Sequence, residues 1–115
     1  MNILTGFTDS PLQTTTIPLD DGTRAVLQLY FRPQQKGWFY DLQHQSFILL
    51  GQRLVTGENI LRQFRNQIPF GLAVLTTTHR DPFDQEDLVN RAAVIVLLSP
   101  EDVLSIEALK FTRND

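Results

Sequence analysis

The residues able to do chemistry in this chain are few and scattered. His44 and His79 are its two histidines, and neither falls in a metal-ligand spacing such as H-E-x-x-H. His79-Arg80-Asp81 sits in a polar stretch that reads as a solvated loop, where an imidazole needs no functional role. Asp81, Asp84, Glu86 and Asp87 place four carboxylates close together. They lack the one-three-five acid spacing, the central glycine and the closing glutamate of a calcium loop. Helix capping explains them with fewer assumptions: Asp84 as the cap, with Glu86 and Asp87 at the positive end of a single helical turn over Gln85–Asn90. Phosphate-binding glycine loops and the nucleophile elbow G-x-S-x-G are missing. There is no cysteine, which excludes thiolate metal sites and disulfides. The sequence therefore nominates no catalytic residue, no metal site and no cofactor, and a non-enzymatic role is expected.

The remaining chemistry belongs to arginines and aromatics. Eight of the ten basic residues are Arg, the side chain favoured where bidentate pairing or stacking is needed, as in protein interfaces. Tyr30, Trp38 and Tyr40, interleaved with Arg24, Arg32 and Arg53, could form a stacking platform for single-stranded nucleic acid on a small β-barrel. A net charge of −3 and the lack of a Lys/Arg cluster weigh against that partner and against an anionic membrane. Core aromatics beside solvated arginines are the simpler account, and the nucleic-acid module stands as the alternative.

The elements that must position these residues are mostly strands. Gly37–Phe64 is the organising stretch. Trp38, Tyr40 and Leu42 alternate with Phe39, Asp41 and Gln43, the period of a strand with one buried face. A polar break at Gln43–Ser46 leads to the apolar run Phe47–Leu50, and a short helical pattern puts Ile60, Leu61 and Phe64 on one face. Upstream, Leu12–Leu19 and Thr23–Arg32 flank Asp21-Gly22, a hairpin signal, with Pro18 suited to a strand edge or end. Pro33–Gly37 is a second turn. Downstream, Phe70–Thr76 and Ala92–Leu98 are apolar strands, the latter on both faces, so it is central or covered from outside. Ser99-Pro-Glu-Asp is a helix start. Val103–Phe111 follows as a helix with Leu104, Ala108 and Phe111 on one face, or as an extended segment that pairs with another chain.

About six or seven strands with one to three short helices predict a mainly β fold, a small antiparallel barrel or sandwich. The 115 residues make one domain: an arm over residues 1–11, a β-rich core over 12–98 and an extension over 99–115. The arm, with Leu4 and Phe7, is expected either to fray or to order on a neighbour. No apolar run approaches a membrane span, and the first residues lack the pattern of a signal peptide. Cytoplasmic synthesis and assembly are expected. Phe47–Leu50, Phe70–Leu75 and Ala92–Leu98 carry more two-sided apolar surface than a small domain hides easily, which points to burial against a partner.

A family resemblance adds to this reading. Trp38-Phe39-Tyr40-Asp41-Leu42 is followed by Leu50-Gly51-x-Arg53-Leu54-Val55-x-Gly57, then Ile60-Leu61, Phe64-Arg65 and the run IPFGLAVL. Asp81-Pro82, Asp87-Leu88 and Arg91 precede the last apolar strand. Over roughly Thr15–Leu98 the chain resembles the baseplate plug proteins of contractile-tailed phages, as in a cyanophage myovirus. One departure is Val89-Asn90 before Arg91, where the family pattern leads one to expect a glycine. The resemblance implies a virion structural protein at the centre of the tail baseplate, closing the tube lumen and joining the tail tube, hub and spike. It implies partners among hub, spike, tube or sheath-initiator subunits, in several copies with threefold or sixfold symmetry. Within that frame, Gly51 and Gly57 are expected to supply backbone conformations closed to other residues. Arg53 and Arg65 are expected to make fork-shaped hydrogen bonds, and Trp38 to anchor the core. Val94 and Val96 represent the outer face of Ala92–Leu98, the expected patch between copies.

Overall fold

The hairpin signals of the first half close into one antiparallel sheet. In the computed structural model, which describes residues 1–77 and 80–113, β2 (Leu12–Pro18), β3 (Arg24–Arg32), β4 (Gly37–His44) and β5 (Phe47–Arg53) lie side by side in that order, following β1 (Asn2–Ile3) in the chain. The turns obey local chemistry. Gly22 at φ 85° closes the first hairpin, and Asp21 Oδ1 accepts the Thr23 N–H at 2.9 Å, an Asx arrangement that favours the turn. Pro33–Gln35 is a 3-10 turn ending on left-handed Lys36 at φ 49°. Gln45 at φ 53° turns the third hairpin.

A second, three-stranded antiparallel sheet has the order β1, β7 (Ala93–Leu98), β6 (Gly71–Thr76). The apolar character of the last strand on both faces is thus explained: it is central and covered. Ala93 and Ile95 face the first sheet, while Val96 and Leu98 pack with Ala73 and Val103 on the outer side. The core lies between the sheets, where Ile17, Leu27, Leu29, Trp38 and Leu42 meet Leu72, Val74 and Ile95. Two facing sheets with separate edges make a sandwich, and no closed barrel forms.

α1 (Pro100–Arg113) covers part of the outer face of the second sheet. Ser99 and Asp102 cap it reciprocally, with Asp102 N donating to Ser99 Oγ at 3.1 Å and Ser99 N to Asp102 Oδ2 at 3.0 Å, as a capping box does. The segment is a helix, so the extended alternative is set aside. Its inward side is Val103 and Ile106, whereas Leu104 stands 70% exposed. Of the expected face, Leu104 and Ala108 turn out exposed, because the side of α1 on the sheet is the one that carries Val103 and Ile106, and the Phe111 side chain lies outside the described residues.

Three other expectations are corrected. The first residues pair within their own chain, Asn2 with Leu97 and Ile3 with Val96, while Leu4 and Phe7 pack against the core. A sheet edge on β7 and a hydrophobic seam supply locally what a neighbour was expected to supply. Residues 85–90 form successive turns that include one of helical type, the Asn90 N–H donating to the Glu86 carbonyl at 3.0 Å; what changes is the cap expected at Asp84. Their cap is Asp87, whose Oδ2 accepts the N–H groups of Phe83 and Asp84, each at 3.0 Å. The helical pattern after Gly57 shrinks to a 3-10 turn at Arg62–Phe64.

Candidate interaction surfaces

The outer face of the first sheet carries a row that crosses all four strands. Strand register sets Leu12 opposite Tyr30, Tyr30 opposite Phe39, and Phe39 opposite Arg53. The Tyr30 and Phe39 rings stack with centroids 6.1 Å apart and planes 21° from parallel. Arg32 lies over both, 5.1 Å from Tyr30 and 5.0 Å from Phe39, and Arg53 lies 5.4 Å from Phe39. Desolvation, followed by the Asp41 hydrogen bond, raises the Tyr30 hydroxyl above its ordinary pKa. Asp41 Oδ1 accepts that hydroxyl at 3.1 Å and the Gly51 N–H at 2.7 Å. Beyond this row Val26, Ile48 and Leu50 remain exposed.

Gly51 takes φ 70° at the bulge of β5, where the register slips between Tyr40 and Leu42. That conformation favours glycine. Gly57 does not share it: its φ lies outside the left-handed region, and an added Cβ would meet Ile60 at an ordinary 3.5 Å. Its place is an isolated bridge to Val74, with backbone bonds of 3.0 and 2.9 Å. Arg53 donates to the carbonyls of Gln35 and Lys36 at 3.2–3.5 Å, pinning the Pro33–Gln35 turn. Arg65 donates to Arg62 O at 3.0 Å and lies 3.6 Å from Glu107.

The stronger fork there is Arg62, which the sequence reading passed over. It grips Glu107 of α1 through Nε at 2.7 Å and Nη2 at 3.1 Å, and the Glu107 hydrogen bond raises its pKa. A separation of 45 residues leaves no local pattern from which to find this pair.

Trp38 is fully buried. It packs 5.5 Å from Phe31 and donates Nε1–H to Asp84 O at 2.9 Å. Tyr40 is buried too, and burial pushes its pKa up to about 12. The stacking platform of Tyr30, Trp38 and Tyr40 is thereby corrected, because alternation sends Trp38 and Tyr40 inward and leaves Tyr30 with Phe39 outside. The guanidinium groups already occupy the Tyr30–Phe39 stack.

His44 is the one buried polar residue of the described core. Its Nε2 lies 2.9 Å from Thr23 Oγ1, and Thr23 Oγ1 lies 2.5 Å from Asp21 Oδ1. The Thr23 hydroxyl has one proton, which goes to the carboxylate and lowers the Asp21 pKa. Thr23 must therefore accept from His44 Nε2–H, so the imidazole does not serve as its base. The chain of bonds latches a hairpin turn to the end of β4. His79 lies outside the described residues. Among those described, no group of three or more His, Cys, Asp or Glu is placed to hold a metal ion.

The second sheet offers apolar concavities. One of about 240 Å³ runs beside α1 between Ala73, Leu75, Val96, Ile106 and Leu109. Another of about 340 Å³ opens at the end of the sandwich between Leu19, Asp20, Phe70, Leu98 and Pro100. Val96 is 4% exposed beneath α1, and Val94 beside it is half-buried. Leu75, 56% exposed, is the open part of that face.

Exposed apolar and arginine-bearing surfaces on a two-sheet sandwich are features shared by structural modules that bind other proteins. The sequence matches, over residues 1–99, the family described as "Cyanophage baseplate Pam3 plug gp18", and the chain belongs to that family. It is a structural protein of the phage tail baseplate and associates with other tail proteins. The match takes in the first fourteen residues, which the resemblance had left out, and stops at Ser99, the cap of α1. Among curated proteins, none matches the sequence. No helix among the described residues is long and apolar enough to cross a membrane.

Proposed function

We propose that this chain is the plug on the axis of the tail baseplate, where tail tube, hub and spike meet. It is non-enzymatic, binds no cofactor, helps close the tube lumen and is present in several copies with threefold or sixfold symmetry. The observation that carries the reading is the family match across residues 1–99, which spans both sheets. The surfaces support it: Ile48, Leu50 and Leu75 are more than half exposed on strands, as expected of surface that a neighbour covers. Trp38, Gly51, Arg53 and Arg65 hold the domain that presents those surfaces. Val94, with Leu75 opposite it in the ladder, lies at the open part of the second sheet's outer face, while Val96 supports it from beneath α1.

Electron microscopy of tails carrying a labelled copy of this chain tests the reading. The label is expected on the tail axis at the baseplate end, and co-expression with adjacent tail products should yield a stable multi-copy complex. A peripheral label, or particles without this chain, would overturn it.

A further inference from the structure

We infer that the arginine–aromatic face of the first sheet receives the 83–86 loop of a second copy of this chain, in a head-to-tail contact. The inference deepens the multi-copy part of the proposed function and rests on it. Its starting point is a charge imbalance within one small domain. The chain is net acidic at −3, yet the outer face of the first sheet exposes Arg24, Arg32 and Arg53, and its one carboxylate, Asp41, is engaged by Tyr30 and Gly51. The ion pairs found among the described residues are Met1–Asp102, Arg62–Glu107 and Arg65–Glu107. None of the three face arginines takes part. Arg32 and Arg53 are held against aromatic rings, so less rotamer freedom is lost when a carboxylate binds their outward edges.

The complementary surface is on the same chain and on the opposite side of the same sheet. Trp38 points inward and bonds to the Asp84 carbonyl, which places the loop over the inner side of the first sheet. The loop is preformed: Asp87 ties down the N–H groups of Phe83 and Asp84, and Asp81 accepts the Thr56 N–H at 2.9 Å. It presents exposed Asp84 and Glu86 carboxylates beside Phe83, which is 43% exposed with the Arg80 guanidinium 5.3 Å from its ring, so that Phe83 offers its free side. Leu12, 59% exposed at the end of the arginine row, is an apolar match for Phe83. Two different patches facing away from each other give a heterologous contact, the kind that closes into a ring when the rotation allows. An acidic protein loop suits this face better than a nucleic acid, because bases would have to displace the guanidinium groups from the rings.

Charge exchange tests the contact on the full chain by sedimentation velocity over a concentration series. Wild-type protein is expected to self-associate, more strongly at low salt. Arg32→Glu with Arg53→Glu, or Asp84→Arg with Glu86→Arg, should each weaken association about tenfold or more. Mixing the two variants should restore it, because each then offers the charge that the other lacks. The near-ultraviolet signal of Trp38 reports that both variants remain folded, and Arg32→Glu alone spares the Arg53 bonds if the pair does not fold. Association unchanged by both reversals, or not restored on mixing, overturns the contact. So does a chain that stays monomeric at every concentration and salt, whereas the axial label in particles would still stand. Oligothymidylate binding that is lost in Arg32→Glu, without self-association, would instead assign the face to nucleic acid.

Discussion

Arg91, just after the Val89-Asn90 departure from the family pattern, shows how a turn is kept without a glycine. It adopts φ 63° with a Cβ, where a glycine was expected nearby. A side chain in the left-handed region costs roughly 1 kcal/mol or more. The turn keeps this conformation because Asp87 accepts the Ala93 N–H through its carbonyl at 2.9 Å, and Asn90 Oδ1 accepts the Ala92 N–H at 3.0 Å. The Arg91 side chain is exposed and forms no ion pair found among the described residues. Arg91→Gly should therefore stabilise the chain by about 0.5–1 kcal/mol, the relieved strain exceeding the added chain entropy. That corresponds to a rise of a few degrees in the thermal midpoint. An unchanged or lower midpoint by circular dichroism would mean that the side chain holds the turn in another way. Gly51 is the converse case. Its φ of 70° was readable from a glycine inside a strand pattern, whereas the same logic misread Gly57, whose role is an edge bridge to Val74.

At the scale of elements, α1 is held at its start and along its side. Asp102 receives the Met1 ammonium at 3.0 Å as well as the Ser99 N–H, so one carboxylate ties the helix cap to the first strand. The ammonium hydrogen bond, then the Ser99 N–H, lowers the Asp102 pKa below 3.8. A depressed folded-state pKa means that this stabilisation is complete above 3.8 and is lost as pH falls through the folded value. Asp102→Asn should cost about 1 kcal/mol at neutral pH, the scale of a cap and an exposed ion pair. The thermal midpoint of the wild type should then converge toward that of the variant as pH drops below 3.8. Parallel profiles would show that the carboxylate charge does not matter. This helix start was legible because Ser-Pro-x-Asp is written in four adjacent residues. The hairpins were legible for the same reason, through Asp-Gly, Pro-x-x-x-Gly and strict alternation. What stayed hidden depends on partners far along the chain. β1 is two residues long and exists because β7 offers an edge. The 83–86 loop is held to the first sheet by Trp38, which donates to the Asp84 carbonyl from 46 residues away. The outward Tyr30–Phe39–Arg53 row requires cross-strand register, which local patterns leave open.

For the molecule as a whole, the family match and the packing divide the chain at the same place. The match ends at Ser99, and the residues of the main core run from Ile17 to Ile95, so α1 is an addition to a sandwich that has its own interior. The helix contributes Val103 and Ile106 over Ala73, Val96 and Leu98, together with the Arg62–Glu107 fork. Removing it exposes the outer face of the second sheet without opening the space between the sheets. A chain ending at Ser99 should therefore keep a cooperative transition and its Trp38 near-ultraviolet signal. It should lose about 2–4 kcal/mol, the scale of burying Val103 and half-burying Ile106. It should also become prone to aggregate through the uncovered Val96 and Leu98, as large exposed apolar patches do. If the shortened chain still enters tails, the sandwich alone carries the baseplate contacts, and α1 shields an apolar face until assembly. A chain that is unfolded without α1 would instead make the helix part of the core, with the family boundary at Ser99 carrying no structural meaning. Chemical denaturation of the two lengths side by side, read at Trp38, separates these outcomes before any particle is made.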